Sequence, residues 1–358
     1  MPSVRKLHIL LPVLVWAILY QLVFPAHSIP QEREPAFRDN FYDVAIRGNF
    51  AWVVGYYGTI LCSEDRGLTW ELQPSGTTEA LFRVNFIDAN QGWVTGSYGT
   101  ILYTRDGGKN WQKQKSPVEE NLLGLHFIDE RHGWAVGSRG TILVTEDGGA
   151  TWVNRGIGDD VILNDVRFLD TKQGWAVGEF GRIYRSRDGG RTWLKQKSPI
   201  EVPFISGDSR NLFRLLFPNA HAGWAFGLDG VILTTQNGAH WNVASSNGAS
   251  PPNTKRNHLF SATAFGGKKW VVGERGTVLV SALDENHWSS VDLKTPPLSL
   301  TGIASESNDH GLIVGNRGLI LRTDDGGKQW KQIRLAPKTT GLSNELPRSL
   351  LRGIRKTR

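Results

Sequence analysis

The sequence predicts an all-β protein, a seven-bladed β-propeller of four-stranded antiparallel blades with Asp-box hairpins. A Gly-Trp-x-x-Gly segment or a close variant occurs seven times, and a Ser/Thr-x-Asp-x-Gly-x-x-Trp segment follows most copies. The first marker recurs every 41 to 49 residues, at Trp52, Trp93, Trp134, Trp175, Trp224, Trp270 and Leu312. The second follows it after 17 or 18 residues, at Trp70, Trp111, Trp152, Trp193, Trp241, Trp288 and Trp330. This period is typical of a propeller blade, which cannot bury both faces alone and therefore stacks around an axis.

Each copy contains four predicted short strands. In the second copy these are residues 81–86, 92–96, 100–104 and 111–114. They are rich in β-branched and aromatic residues, and turns of Gly, Asp and Asn separate them. No segment of the repeat region keeps a helical period.

The third turn of a copy carries an aspartate, the pattern called an Asp box. Its carboxylate can accept hydrogen bonds from backbone N–H groups of its own hairpin, so we interpret the aspartates as structural braces. The alternative is a ring of aspartates for metal binding or acid/base chemistry. Copy five has Asn237 instead, and copy six lacks the glycine and has a displaced Asp284, so these two hairpins are expected to be looser. The structural Asp-box residues are Asp65, Asp106, Asp147, Asp188 and Asp325.

The repeats are unbroken, so one propeller domain is predicted at residues 41–337 of the 358. Residues 1–28 are a predicted signal peptide or N-terminal membrane anchor, residues 29–40 a linker, and residues 338–358 a basic C-terminal tail. Copies one and seven each contain four predicted strands, so no shared blade is expected to close the ring. The blades are expected at about 41–75, 81–116, 122–157, 162–198, 211–245, 259–292 and 299–335.

The formal net charge of +7 lies at the two ends of the chain. Residues 1–28 carry +2 and residues 338–358 carry +5, which leaves residues 29–337, the linker and the predicted propeller together, neutral. A neutral domain has no field that follows a phosphate backbone, so nucleic acid is not expected as a partner. The basic tail is either solvated or a contact for anionic lipid or an acidic partner.

The N-terminus predicts export. Arg5 and Lys6 precede a largely apolar run at residues 7–24, and small residues suit cleavage after Ser28. The run is also long enough to remain as an anchor, so the propeller is expected outside the cytoplasm in either case. The single cysteine, Cys62, lies in a predicted strand as a packing residue, which excludes an internal disulfide and a lipid-bearing cysteine after the signal.

The seven Trp-x-x-Gly strands with Asp boxes behind a signal sequence resemble the photosystem II stability/assembly factor family of cyanobacteria, plastids and other bacteria. The resemblance covers most of residues 37–335, and the segments 133–142 (GWAVGSRGTI) and 145–152 (TEDGGATW) are similar to the blade pattern of that family. It implies a non-catalytic propeller of the periplasm or thylakoid lumen that binds a membrane-protein subunit, the reaction-centre protein in phototrophs, through an arginine-rich patch. The missing lipid-bearing cysteine departs from the cyanobacterial members.

The turns between the second and third strands are the predicted partner-binding surface. They lie at the end of the blade that carries the linker to the next blade, opposite the Asp box. A glycine follows the tip residue in every copy while the tip residue varies, and such variation against a fixed frame can carry specificity. The alternative is solvated tips without a partner. The candidate partner-binding residues are Tyr57, Tyr98, Arg139, Phe180, Arg182, Arg185, Arg275 and Arg317.

Two further features belong to this surface or to the axis. Linkers at residues 198–211 and 244–258 are longer than the others and are expected to emerge at the same end as the tips. Aligned positions of the innermost strands hold four charged residues that are expected to pair with one another and with channel water. These are Asp43, Arg83, Asp165 and Arg214.

Two rival functions remain open. A sialidase-like glycoside hydrolase also carries Asp boxes, but it needs three arginines on a carboxylate, a tyrosine nucleophile and six blades, and this pattern is missing here. An envelope scaffold for a transport or export complex in a non-phototroph would differ only in its client. The scattered histidines form no metal-ligand pattern, so no metal, cofactor or catalytic residue is predicted, and the protein is expected to be a monomer.

Overall fold

The computed structural model describes residues 40–202, 210–220, 222–244 and 257–335, which form seven four-stranded antiparallel sheets. Blades one to three contain β1 (Phe41–Arg47), β2 (Phe50–Gly55), β3 (Ile60–Ser63), β4 (Glu71–Gln73), β5 (Leu81–Phe86), β6 (Gly92–Gly96), β7 (Ile101–Thr104), β8 (Gln112–Lys113), β9 (Leu122–Phe127), β10 (Gly133–Gly137), β11 (Ile142–Thr145) and β12 (Val153–Asn154). Blades four and five contain β13 (Leu163–Phe168), β14 (Gly174–Gly178), β15 (Ile183–Ser186), β16 (Leu194–Gln196), β17 (Leu212–Leu216), β18 (Gly223–Gly227), β19 (Ile232–Thr235) and β20 (Asn242–Val243). Blades six and seven contain β21 (Leu259–Phe265), β22 (Lys268–Gly273), β23 (Val278–Ala282), β24 (Ser289–Ser290), β25 (Leu300–Ser305), β26 (Gly311–Gly315), β27 (Ile320–Thr323) and β28 (Lys331–Ile333).

The predicted seven-bladed, all-β architecture is confirmed. Strand order within every sheet follows the chain, so each blade is one continuous segment. The second strand of each blade is buried along most of its length, whereas the short fourth strand is largely exposed. Among the described residues, no helix is long and apolar enough to cross a membrane.

Blade seven meets blade one without sharing a strand. The hydroxyl of Thr301 donates a 2.6 Å hydrogen bond to the carbonyl oxygen of Phe41. The backbone N–H of Arg317 donates to the side-chain oxygen of Asn40, as the N–H of Tyr98 does to Asn121 between blades two and three. Contacts of the kind that join neighbouring blades therefore also close the ring.

In blades one to four, the first tryptophan of the repeat joins two blades. Trp52 lies in blade one, stacks on Phe86 of blade two at a ring-centroid distance of 3.5 Å, and donates its indole N–H to the carbonyl oxygen of Gly107 in the Asp-box hairpin of blade two. The same donation occurs from Trp93, Trp134 and Trp175 to Gly148, Gly189 and Gly238. The tryptophan spacing thus records inter-blade packing as well as blade length.

The Asp-box aspartates are held inside their own hairpins. One carboxylate oxygen of Asp65 accepts hydrogen bonds from the backbone N–H groups of Leu68 and Thr69, and the other accepts from the Thr69 hydroxyl. Burial alone would raise the pKa of Asp65, but the hydrogen bonds from Thr69, Ser63 and Leu68 outweigh it and lower the pKa. The second tryptophan covers the loop, because the Trp70 indole N–H donates to the Gly67 carbonyl oxygen.

The hairpins of copies five and six, which were expected to be looser, are held by other hydrogen bonds than those of the Asp box. In copy five the side-chain oxygen of Asn237 accepts the N–H groups of Ala239 and His240, so the shorter loop keeps a brace. In copy six a fully buried lysine supplies the brace: the ammonium of Lys269 donates to the carbonyl oxygens of Ala282, Leu283 and Glu285. Both hairpins therefore keep hydrogen-bond braces, and in copy six the brace comes from a side chain outside the motif.

Several sequence predictions fall outside the described residues. These are the N-terminal signal or anchor, the basic C-terminal tail, and residues 203–209 and 245–256 of the two long linkers.

Candidate partner-binding face

The tips of all seven blades are type I′ turns, the two-residue connection that best matches strand twist. In blade one the backbone N–H of Thr59 donates to the carbonyl oxygen of Tyr56, and the two residues between them, Tyr57 and Gly58, have φ of 54° and 68°. A Cβ on Gly58 would lie 1.9 Å from the carbonyl oxygen of Thr77, in the linker to blade two. The tips therefore lie at the linker end, as the sequence predicted.

A large side chain occupies the left-handed position of most tips. This position favours Gly, Asn and Asp, and other residues there carry a conformational cost. Such strain is concentrated at functional sites in proteins. The seven tip residues with positive φ are Tyr57, Tyr98, Arg139, Phe180, Asp229, Arg275 and Arg317.

Three tip arginines are exposed and weakly held. The guanidinium of Arg139 lies 3.7 Å from Glu120 and has a side-chain exposure of 75%. Arg275 is 3.9 Å from its neighbour Glu274, and Arg317 is exposed with a hydrogen bond at its backbone N–H. Tyr98, with 72% of its surface exposed, adds an aromatic tip. These side chains are available to a partner at little cost in lost contacts.

The blade-four tip is tied to its surroundings. Arg182 lies over the half-buried Phe180 ring, 5.7 Å from its centroid, and forms a 3.0 Å ion pair with Asp159. The Tyr184 hydroxyl donates to the same carboxylate, and burial together with this hydrogen bond raises the pKa of Tyr184 to about 12. Arg182 is thus held in place within the face.

Arg185 does not join the tips. Its guanidinium stacks over Trp175 at 5.0 Å and donates to the side-chain oxygen of Gln173. Gln173 lies in the turn between β13 and β14, next to the Asp-box loop of the same blade, since Gly189 donates to the carbonyl oxygen of Lys172 there. Arg185 follows Arg182 by three residues, and β15 is so short that this separation brings Arg185 to the opposite end of the blade. Arg185 is therefore not part of the candidate face.

The same face includes one mouth of the central channel, which sequence reasoning missed and which we call the aromatic mouth. The second residue of each innermost strand lines it, and the resulting cavity of about 190 Å³ has Arg83 among its lining residues. The Phe213 and Phe260 rings are 5.6 Å apart, and Tyr42 and Phe82 are 5.8 Å apart. Comparison of this one position across copies would have revealed the ring. It consists of Tyr42, Phe82, Leu123, Asn164, Phe213, Phe260 and Thr301.

Deeper in the channel, the predicted charged residues lie together. Asp43 and Asp165 are buried on either side of Arg214, with carboxylate-to-guanidinium distances of 3.9 and 4.0 Å. Each carboxylate also accepts a backbone N–H from a residue of the next blade, Val84 and Leu215 respectively. Both acids are therefore engaged in holding neighbouring blades together.

A model of the family described as "Photosynthesis system II assembly factor YCF48" matches residues 30–105, 104–161 and 280–345, more than half of the chain. The chain belongs to the YCF48 family. The "Photosystem II assembly lipoprotein Ycf48" of Synechococcus sp. (strain CC9902) is 28% identical over 120 residues, which are 32% of this chain and 34% of that protein. The match thus spans about a third of that relative.

Solved structures share the fold. A structure titled "YCF48 bound to D1 peptide" superposes with a TM-score of 0.64 at 20% identity, over 81% of this chain and 99% of that one. A GH74 xyloglucanase from Xanthomonas campestris has a TM-score of 0.66 at 13% identity, over 83% of this chain and 55% of that one. The YCF48 family and a glycoside hydrolase therefore share this propeller, and the superposition by itself identifies only the fold.

Proposed function

We propose that this member of the YCF48 family is a non-catalytic assembly factor that binds a membrane-protein subunit of photosystem II. The partner-binding face consists of the tip residues together with the channel mouth. The observation that carries the proposal is the ring of left-handed tips that present arginine and tyrosine at one end of the propeller. Both residue types are enriched where protein interfaces concentrate their binding energy.

The face fits a protein segment that combines acidic and apolar side chains. Exposed Arg139, Arg275 and Arg317 would pair with carboxylates, and the aromatic mouth would take an apolar side chain. The structure titled "YCF48 bound to D1 peptide" contains a relative in complex with a peptide of D1, and we extend a peptide client to the present chain.

The absence of catalysis is part of the proposal. Buried Asp43 and Asp165 already contact Arg214 and backbone N–H groups, and the Asp-box carboxylates are saturated by their own hairpins. A hydrolase needs two carboxyl groups that are free to reach a glycosidic bond. A location outside the cytoplasm is supported by the lipoprotein names of two relatives.

The test is recovery of the client from detergent-solubilised membranes of the host. Replacement of Arg139, Arg275 and Arg317 by Ala should lower recovery of the photosystem II reaction-centre subunit by at least about tenfold, since each charge-assisted contact is worth about 1.5–3 kcal/mol. The matched control replaces three exposed arginines at the Asp-box end, Arg105, Arg187 and Arg191, and should leave recovery unchanged.

Equal recovery by both triple variants would remove this face from consideration. The wild-type protein could instead recover a transport or export complex, with the same sensitivity to the tip arginines. That result would support the binding face and identify a different client.

A further inference from the structure

The Asp-box end of the channel contains a second cavity, which we call the vestibule. It has a volume of about 270 Å³. Four successive innermost strands, β5, β9, β13 and β17, contribute Asn85, His126, Arg167 and Arg214 to its lining. The vestibule lies at the opposite end of the channel from the aromatic mouth and plays no part in the proposed recognition of a client.

Inter-blade hydrogen bonds decide which atoms these residues present. The side-chain oxygen of Asn85 accepts the N–H of Phe127 at 2.8 Å, and Nδ1 of His126 accepts the N–H of Phe168 at 3.1 Å. When the side-chain oxygen of an Asn accepts a hydrogen bond, its NH₂ group remains available as a donor. A neutral imidazole whose Nδ1 accepts a hydrogen bond carries its proton on Nε2. Burial first, and then Arg167, Arg214 and Arg47, lower the pKa of His126 well below its ordinary value, so the ring is neutral. Both side chains therefore offer hydrogen-bond donors to the cavity.

Two guanidinium groups add to this set of donors. The Arg214 side chain is 8% exposed, its Nε has no acceptor among the described residues, and its contacts with acids are 3.9 and 4.0 Å long, beyond hydrogen-bond range. Arg167 is similarly 3.8 Å from Asp165. Asp43 and Asp165 each retain one carboxylate oxygen, Oδ1, without a hydrogen bond. Two such acceptors are fewer than the donors that surround them.

The charged residues of the channel leave an excess of positive charge. Within the described ranges, Arg47, Arg167 and Arg214 line the vestibule and contact the acids Glu306, Asp165 and Asp43. The fourth arginine of the channel, Arg83, lies at the mouth, and its Nε has no hydrogen-bond partner among the described residues. Four cations against three anions leave the channel as a whole with one excess positive charge, and an unpaired charge in a partly buried channel is costly.

We propose that the vestibule binds one small carboxylate, held by the guanidinium groups of Arg167 and Arg214 and by the side-chain N–H groups of Asn85 and His126. Guanidinium and carboxylate match in planar, paired hydrogen bonds, and one such anion neutralises the channel. At roughly 30 Å³ per water, the cavity is large enough for a carboxylate together with several waters. The carboxylate could come from a free small acid or from an acidic side chain that enters from the Asp-box end.

The test is calorimetric titration of the full chain at constant ionic strength, with two probes. One is sodium acetate, and the other is a glycine tripeptide with a central glutamate, acetylated and amidated at its ends. The wild-type protein should bind one equivalent of at least one probe. Binding of acetate alone assigns the site to free acids, and tighter binding of the peptide assigns it to a partner's side chain.

Asn85→Asp is the diagnostic variant because its carboxylate can still accept the Phe127 N–H while replacing the free amide donors with negative charge. It should weaken binding at least about tenfold. The matched control is Asn154→Asp on the outer edge of blade three, where the side-chain oxygen likewise accepts a backbone N–H, from Gly156, far from the channel. If Asn85→Asp does not fold, Arg167→Met replaces it. The proposal is overturned if neither probe binds the wild type, or if the channel variant and the Asn154→Asp control bind equally well.

Discussion

The indole N–H of Trp134 donates a 2.9 Å hydrogen bond to the carbonyl oxygen of Gly189, which belongs to the Asp-box hairpin of the next blade. The same ring stacks on Phe168, also in the next blade, at a centroid distance of 3.6 Å. The tryptophan of one repeat and the Asp box of the next repeat are therefore partners across a blade boundary.

Trp134→Phe should destabilise the protein by about 1–3 kcal/mol more than Trp270→Phe, the value of a lost buried hydrogen bond. Both changes shrink a buried ring, but the Trp270 indole N–H has no acceptor among the described residues, so only Trp134 loses a bond. Urea unfolding followed by circular dichroism measures the difference. Equal losses in the two variants would contradict a stabilising role for the inter-blade bond.

The Asp boxes should make stability fall in acid. The folded pKa of Asp147 is lowered because hydrogen bonds from Thr151 and Thr145 outweigh burial, which acts in the opposite direction. A lowered folded pKa gives stabilisation that is complete above the ordinary value of 3.8 and is lost as pH falls through the folded pKa.

Unfolding midpoints between pH 6 and pH 2.5 test this, and Asn237 supplies the reciprocal change because it occupies the Asp-box position naturally. Asp147→Asn should flatten the loss in acid, and Asn237→Asp should steepen it. Identical acid profiles for the three proteins would show that these carboxylates do not govern acid stability.

Lys269→Met should destabilise blade six by about 1–3 kcal/mol, because three carbonyl oxygens lose a charged donor and that of Leu283 loses the one donor found for it among the described residues. The neighbouring Lys268→Met is the control, since Lys268 is exposed and its change should cost less than about 0.5 kcal/mol. Thermal unfolding and proteolysis within residues 282–288 measure the effect. Equal stability of the two variants would mean that the hairpin is held by other contacts.

Leu312→Ala should weaken the boundary between blades seven and one. Leu312 is fully buried where other blades have tryptophan, and it packs in one cluster with Phe41, Val44 and Trp70 of blade one. A loss of about 2–5 kcal/mol is expected for a buried Leu→Ala change. Leu194→Ala, at a side chain that is 70% exposed, should leave the unfolding midpoint almost unchanged. A similar small effect at both positions would argue against tight closure.

Cys62 should be inert to thiol reagents in the native protein. Burial is the main cause that raises the pKa of the Cys62 thiol to about 12, and the thiolate is the reactive form. Alkylation with iodoacetamide at pH 8 should therefore be undetectable in buffer and rapid in concentrated urea, which makes it a probe of opening at blade one. Rapid labelling of the folded protein would contradict this burial.

The sequence predicted the fold because its strongest signal is repetition. Every marker tryptophan and Asp-box aspartate occupies an equivalent place, and a period near 41 residues admits few architectures. The end of the blade at which the tips lie also followed from the antiparallel order of its four strands. These properties depend on local turn chemistry, which a sequence records directly.

Contacts made by residues outside the repeated motifs were harder to foresee. Lys269 braces a hairpin from the neighbouring strand, and nothing in the Asp-box pattern indicates such a donor. The aromatic mouth comes from one residue per blade, so Phe213 and Phe260 become neighbours only when the ring closes. Arg185 was assigned to the tips because short strands place two ends of a blade within a few residues of each other in sequence.

The continuity of every blade has a consequence for engineering. Since no blade borrows a strand from elsewhere in the chain, each inter-blade linker separates two complete sheets. Circular permutants opened at any of these linkers would preserve all hairpins and would differ only in which blade boundary is left without a covalent connection. Comparing their stabilities would rank the seven boundaries by non-covalent strength, with the boundary at Leu312 as the natural reference.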